Sequence, residues 1–382
     1  MKTIVKELFL TLIVVVLSQC KKEPASIDIK DNNFLKALIA IGVDKNGDGI
    51  ISNGEATDVS FLNVRSCGIS DLKGIAAFIN LDTLICSINS LTYLDLFHNH
   101  ELVYLQCCGN SLTSLDVSNN PVLNYLDCGG NSLTSLDVSN NPKLTFLDCW
   151  GNILTSLDVS NNPALEILSC GWNPLTSVDV SNNPVLNHFD CNANQLTSLD
   201  VSNNPALYDL NCGMNSLTSL DLSNNPGLKD LECSWNSLTS LDVSNNPELY
   251  YLRCEDNSLT SLDLSNNLAL AGLSFQLNFL TSLDISNNPA LDILYCDGNL
   301  LTSLDVSNNP ALTYLRCDMN LLTSLDVSNN TSIENLTLAS MPSLYKVCVW
   351  TMPFPPAGVA VDTTGSPNVY FTMNCKNKSP RR

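Results

Sequence analysis

A 21-residue unit, LTSLDVSNNPxLxxLxCxxNx, recurs almost without interruption from about Leu81 to Met341. A fixed period of this length commits the chain to a solenoid, because one unit cannot bury its apolar side alone and must stack on its neighbours. The register is visible in single columns. Cys86, Cys107, Cys128, Cys149, Cys170, Cys191, Cys212, Cys233, Cys254, Phe275, Cys296, Cys317 and Leu338 follow one another at 21-residue intervals. Three positions on, Asn recurs from Asn89 to Asn320 without a gap.

Within a unit, LxxLxCxxNxL predicts a short strand with alternate residues inward, then an Asn whose side chain pairs backbone groups that an open turn leaves free. LTSLDVSNNP runs extended along the opposite side, with SNNP as the turn back. About fourteen coils at ~4.8 Å each make a rod or shallow arc of about 65 Å. Such an array needs ends. Residues 31–60 read as a helical cap, with Asp31 or Asn32 starting a helix that carries Phe34, Leu35, Leu38 and Ile39 inward. Repeats occupy 61–341, a proline-bearing C-terminal cap 342–375, and a tail 376–382. Phe275, beside Leu268 in place of the usual proline, predicts a bulge or small bend.

The net charge of −20 and pI near 4.2 exclude nucleic acid and a directly bound anionic membrane, since both require a basic face. Much of the acidity is architectural: Asp95, Asp116, Asp137 and onward to Asp326 form a column of twelve. Alternation turns these carboxylates outward, where Ser and Thr hydroxyls and turn amides satisfy them; a row of weak cation sites is the other reading.

Eleven of the sixteen cysteines fall in the one inward column. They read as reduced, buried thiols, because side chains pointing the same way from parallel strands rarely reach disulfide torsions. One ligand per coil, with no His in the column, does not build zinc shells either. Cys348 and Cys375 lie beyond the array and are the plausible disulfide pair. Cys108 points to the open face, as a reactive thiol or an inert one.

Lys2 and Lys6 precede an apolar run from Leu8 to Leu17, too short to span a bilayer and suited to a secretory signal over residues 1–19. Leu17-Ser18-Gln19-Cys20 resembles a bacterial lipoprotein box, which implies lipidation at Cys20 and a tether over 20–30. Gln19 departs from the small residue usual there, so ordinary cleavage or an uncleaved anchor stays open. The expected setting is an outer-membrane or cell-surface lipoprotein, with the periplasmic face as alternative.

Asp44 to Glu55 (DKNGDGIISNGE) matches the twelve-position calcium loop of an EF-hand. Asp44, Asn46 and Asp48 supply side-chain oxygens, Gly49 the sharp turn, Ile50 its carbonyl, Ser52 a further oxygen, and Glu55 a closing bidentate carboxylate. A single loop inside a cap points to a structural Ca2+; an acidic turn that holds its shape without metal is the plainer reading.

The LxxLxCxxN units resemble leucine-rich repeats, and the chain looks like a bacterial protein of the internalin type whose repeats carry a cysteine ladder. The caps and array are also similar to leucine-rich repeat surface proteins of Bacteroidetes. The resemblance implies a right-handed, mostly β solenoid with a parallel sheet on its concave face, acting as an extracellular binding or adhesion protein and not an enzyme. The chain lacks the wall-anchoring LPxTG motif and a C-terminal sorting domain, so attachment rests on Cys20. Catalysis has little footing: three histidines, none beside an accessible nucleophile, and carboxylates generated by repetition.

Function then falls to outward strand positions that vary while the frame stays fixed. Tyr104, Tyr125, Phe146 and Trp150, beside Trp172, form an aromatic patch suited to a contact site, or else to cross-strand packing that stiffens the sheet. His188 with Asp127, Asp148, Asp190, Asp209, Asp230 and Glu232 continues it as an acidic stripe. A protein or glycan ligand fits this face, presented by a monomer. A ligand-free scaffold or spacer is the rival reading.

Overall fold

The computed structural model describes residues 26–375; the expected signal segment, Cys20 and the 376–382 tail lie outside them. Helix α1 (Asn32–Ala40) starts at Asp31, whose Oδ1 accepts the amides of Asn33 (2.7 Å) and Phe34 (3.1 Å). Oδ2 of the same residue accepts Ser70 N (2.7 Å) and Ser70 Oγ (2.8 Å), tying the helix to the first coil. Phe34 and Leu38 are fully buried, but Ile39 is not, because the helix lays only a narrow stripe on the solenoid end. A second, short helix, α2 (Asn53–Thr57), follows the acidic loop.

The array begins at Phe61–Asn63 and adds three-residue strands at Thr83–Ile85, Tyr104–Gln106, Tyr125–Asp127 and so on. Among the described residues fifteen strands form one continuous parallel sheet, consecutive in sequence up to Tyr314–Arg316, after which Asn335–Thr337 and Ala360–Asp362 complete it. Alternation sets the layers. The middle residue of each strand points inward and is buried, while the flanking two face the other way. The Cys immediately after the strand turns inward again, fully buried from Cys86 to Cys317. All of these thiols are free, and burial pushes them up, to about 12 at Cys86 and Cys212.

Asparagine closes each coil. Asn131 Nδ2 donates to Cys128 O (3.0 Å) in its own coil and Cys107 O (3.2 Å) in the previous one, while its Oδ1 accepts Leu112 N at 3.0 Å. A second ladder runs through SNNP, where Asn141 Nδ2 donates to Asn120 O and Val117 O. The outward aspartates are self-contained turns: Asp137 Oδ1 accepts Ser139 N at 2.9 Å, and Ser139 holds its carboxyl below the usual range.

Two sequence expectations change. Phe275 causes no bulge: Gly272–Ser274 keeps unbroken register with Tyr251–Arg253 and Ile293–Tyr295, and the ring is buried in line with its small Cys neighbours. The sheet also outlasts the sequence pattern, since Ala360–Asp362 pairs with Asn335–Thr337. On the opposite side Ser324–Asp326, Lys346–Cys348 and Tyr370–Thr372 form a small parallel sheet over the end of the core.

Candidate functional site

On the outer face of the sheet, identical register brings equivalent residues of successive coils side by side. Tyr104 and Tyr125 stack with ring centroids 4.1 Å apart and planes 11° apart; Tyr125 and Phe146 repeat this at 4.1 Å and 7°. Both faces of Tyr125, and one face each of Tyr104 and Phe146, are spent in this stack. Trp150, four residues after Phe146, pairs separately with Trp172, 6.1 Å apart and tilted by 52°, the two exposed by 42% and 52%. The structure thus sorts the five aromatics into two clusters, a three-ring stack and a tryptophan pair.

The carboxylate stripe divides. Asp148, Asp190, Asp230 and Glu232 are half-buried, and burial pushes each carboxyl above its ordinary range. His188 Nδ1 lies 2.9 Å from Asp209 Oδ2, and this contact raises the imidazole's affinity for a proton despite its burial. Asp127 is a correction. It is buried, with its carboxylate accepting Gln106 Nε2 (3.0 Å) and Gly129 N (3.2 Å), so it braces the sheet and leaves little for a ligand. The sequence could not show this, because it depends on which way the neighbouring Gln106 folds.

In the cap, the loop from Asp44 to Glu55 closes on itself. Asp44 accepts Gly47 N (2.7 Å) and Gly49 N (2.9 Å), Asn46 Oδ1 accepts Asp48 N (2.8 Å), and Asp48 Oδ1 accepts Ile50 N (2.8 Å). Gly47 and Gly49 take positive φ values of 74° and 79° to make these turns. Glu55, anchored in α2, reaches back across the loop: one oxygen accepts Lys45 N and the other Ser52 N and Oγ, each at 2.9 Å. These bonds, led by that from Ser52 N, hold its carboxyl below the usual range. The Lys45 ammonium points away, to Asp58 at 2.8 Å. A loop offering three carboxylates, an amide and a hydroxyl, with its one ammonium paired to Asp58 instead, has the donor chemistry of a hard divalent ion.

At the other end, one donor atom each of Asp326, Cys348 and Cys375 lies within 4.8 Å of the others. Both cysteines are free thiols, and the structure brings together the pair that the sequence singled out.

No family model matches the chain, and no curated relative does either. Solved structures do. The functional domain of InlJ from Listeria monocytogenes, which includes a cysteine ladder, is 37% identical, with a TM-score of 0.74 over 84% of this chain and 74% of that one. This chain belongs to the internalin-type leucine-rich repeat family. An internalin (InlF) from the same organism shares the fold at 17% identity, TM-score 0.71, covering 90% of this chain and 98% of its own. The plant peptide hormone receptor RGFR1, solved in complex with RGF2, does so at 18% and 0.59, over 79% and 60%. Internalin-type proteins are interaction scaffolds that carry out no catalysis, generally bind proteins, and are typically found at surfaces or secreted. Among the described residues no helix is long and apolar enough to cross a membrane.

Proposed function

We propose that this internalin-type protein is exported, tethered through lipid at Cys20, and binds a protein partner on the outer face of its sheet. The observation that carries the reading is the stack of Tyr104, Tyr125 and Phe146 together with the pair Trp150 and Trp172, whose tryptophans stand half-exposed on a rigid frame. Exposed aromatics on such a frame present large apolar area at little entropic cost. Stacking in the Tyr104–Phe146 column favours protein over glycan, because sugar rings pack on aromatic faces and four of the six ring faces there are occupied by one another. Calcium in the Asp44–Glu55 loop stiffens the cap and has no part in recognition. In this account the pair Cys348 and Cys375 forms a disulfide that clamps the C-terminal end once the protein reaches an oxidising compartment.

Antibody labelling of intact and permeabilised cells tests the setting, and Tyr125→Ser, Phe146→Ser, Trp150→Ser together test the site. Labelling of intact cells with loss of partner capture in the folded triple variant supports the reading. Labelling only after permeabilisation leaves a ligand-free periplasmic scaffold. Capture that survives proteolysis of the partner surface but not periodate oxidation would point to glycan instead.

A further inference from the structure

One residue past the outward column that holds Trp150, every coil passes through the left-handed region. Four coils place Gly there, at Gly109, Gly130, Gly151 and Gly298, with φ between 59° and 66°. Trp172, Met214, Trp235, Leu277 and Met319 occupy the same position at φ of 52–56°, although a side chain there strains the backbone. Packing does not compensate the strain: these five side chains are 48–58% exposed. Over seven coil steps, or about 34 Å, they form an apolar rim along one edge of the sheet that is interrupted at Ala193, Asp256 and Gly298.

Beside the rim, on consecutive coils, Glu255 Oε2, Gln276 Oε1 and Asp297 Oδ1 are buried acceptors without a donor. Asp297 is only 6% exposed, and Arg316 Nη2 reaches its other oxygen alone, at 3.3 Å. Unpartnered oxygens also recur on the second Asn of SNNP, once per coil, and there belong to the frame. Those on the sheet face do not repeat in kind. A buried acceptor without a donor is costly, and two of these three side chains are ionisable carboxylates. Lysine and arginine bring several donors and no acceptor.

We infer that the Trp235–Met319 stretch of this rim, with Glu255, Gln276 and Asp297, receives a polypeptide segment that lies along the solenoid and alternates cationic with large apolar side chains. The inference rests on the protein-binding reading above and names the chemistry of the partner. Cationic groups meet the three open oxygens while apolar side chains cover Trp235, Leu277 and Met319. Within this stretch Asp256 and Gly298 separate Trp235, Leu277 and Met319, so apolar and non-apolar positions alternate coil by coil beside the three open acceptors, which matches a segment of mixed cationic and apolar side chains and no uniformly charged one.

The test uses a synthetic peptide of alternating lysine and leucine and its glutamate–leucine counterpart, titrated at physiological salt against the folded protein. Wild type is expected to bind the first and not the second. Trp235→Gly with Leu277→Gly should weaken binding at least tenfold and raise the melting temperature, since glycine relieves the strained φ. Glu255→Gln with Asp297→Asn should weaken it similarly, whereas Asp221→Asn with Asp263→Asn on the opposite face should not. Equal loss in that last variant would reduce the effect to net charge and overturn the inference. Glycine variants that bind as wild type, or that melt lower, would overturn it as well. A concentration-dependent dimer abolished by the rim glycines would replace the peptide with a second copy of this chain. If rim variants keep partner capture while the aromatic triple variant loses it, this inference alone falls; if both keep it, the binding reading falls too.

Discussion

The ring of Tyr125 lies 4.1 Å from those of both Tyr104 and Phe146, within 11° of parallel to each. Perfect register in a parallel sheet creates this sandwich, and it makes Tyr125 the structural centre of the patch. Tyr125→Ala removes two stacked contacts of ~0.5–1.5 kcal/mol each plus part-buried ring area, and we expect a loss of about 2–3 kcal/mol in urea unfolding. A change below roughly 0.5 kcal/mol, the range of ordinary surface substitutions, would show that the stack contributes nothing to the sheet.

Calcium should stabilise the N-terminal cap. Saturation to about 100 times Kd adds about 2.7 kcal/mol by mass action. Glu55→Gln removes the closing carboxylate and should abolish the calcium-dependent rise in melting temperature while leaving the repeats folded. An equal rise in wild type and variant would move any ion elsewhere.

Asp31 links acid stability to the cap. Burial alone would raise its carboxyl, but bonds from Ser70, Phe34 and Asn33 outweigh it and lower the value to about 2. The unfolded value is near ~3.9, so the stabilisation is complete above about pH 4 and is lost as pH falls through the folded value. Asp31→Ala should cost about 1–2 kcal/mol at neutral pH, and that difference from wild type should fade on acidification. A pH-independent difference would contradict the assignment.

His188 behaves in the opposite sense. Its pairing with Asp209 raises the folded value, so the stabilisation is complete below the unfolded value near ~6.5 and is lost as pH rises through the folded one. In nuclear magnetic resonance titration, Asp209→Asn should lower the His188 midpoint. An unmoved midpoint would mean that the contact is not formed in solution.

Thiol chemistry separates the cysteines. Native alkylation should label exposed Cys67 and, more slowly, half-buried Cys108, whereas the ladder from Cys86 to Cys317 should react only after unfolding. Rapid labelling of several ladder positions in the folded protein would contradict the packed core.

The fold was legible because each coil carries its own instructions: Leu and Cys for the inner layer, Asn for the turn, Asp and Ser for the outer one. The aromatic patch was legible for the same reason, since a fixed period turns columns of sequence into rows in space. What escaped depends on local conformation. Asp127 was assigned to the ligand face because alternation points it outward, and only Gln106 and the turn at Gly129 show that it is covered. The last coil escaped because its backbone pairing at Ala360–Asp362 persists without the side-chain pattern. The apolar rim did leave a trace, a column where Trp172, Met214, Trp235, Leu277 and Met319 stand in the position that Gly fills at Gly109, Gly130, Gly151 and Gly298, but its meaning appears only with the positive φ.

The central claim is that the sheet face meets a protein partner, and site-specific photocrosslinking on intact cells tests it most directly. A photoreactive phenylalanine analogue replaces Phe146 on the sheet face and, in a second protein, Ser202 on the opposite face. The account predicts a discrete, protease-sensitive adduct from position 146 and none from position 202. Adducts of equal yield from both positions, or none from position 146, would contradict it.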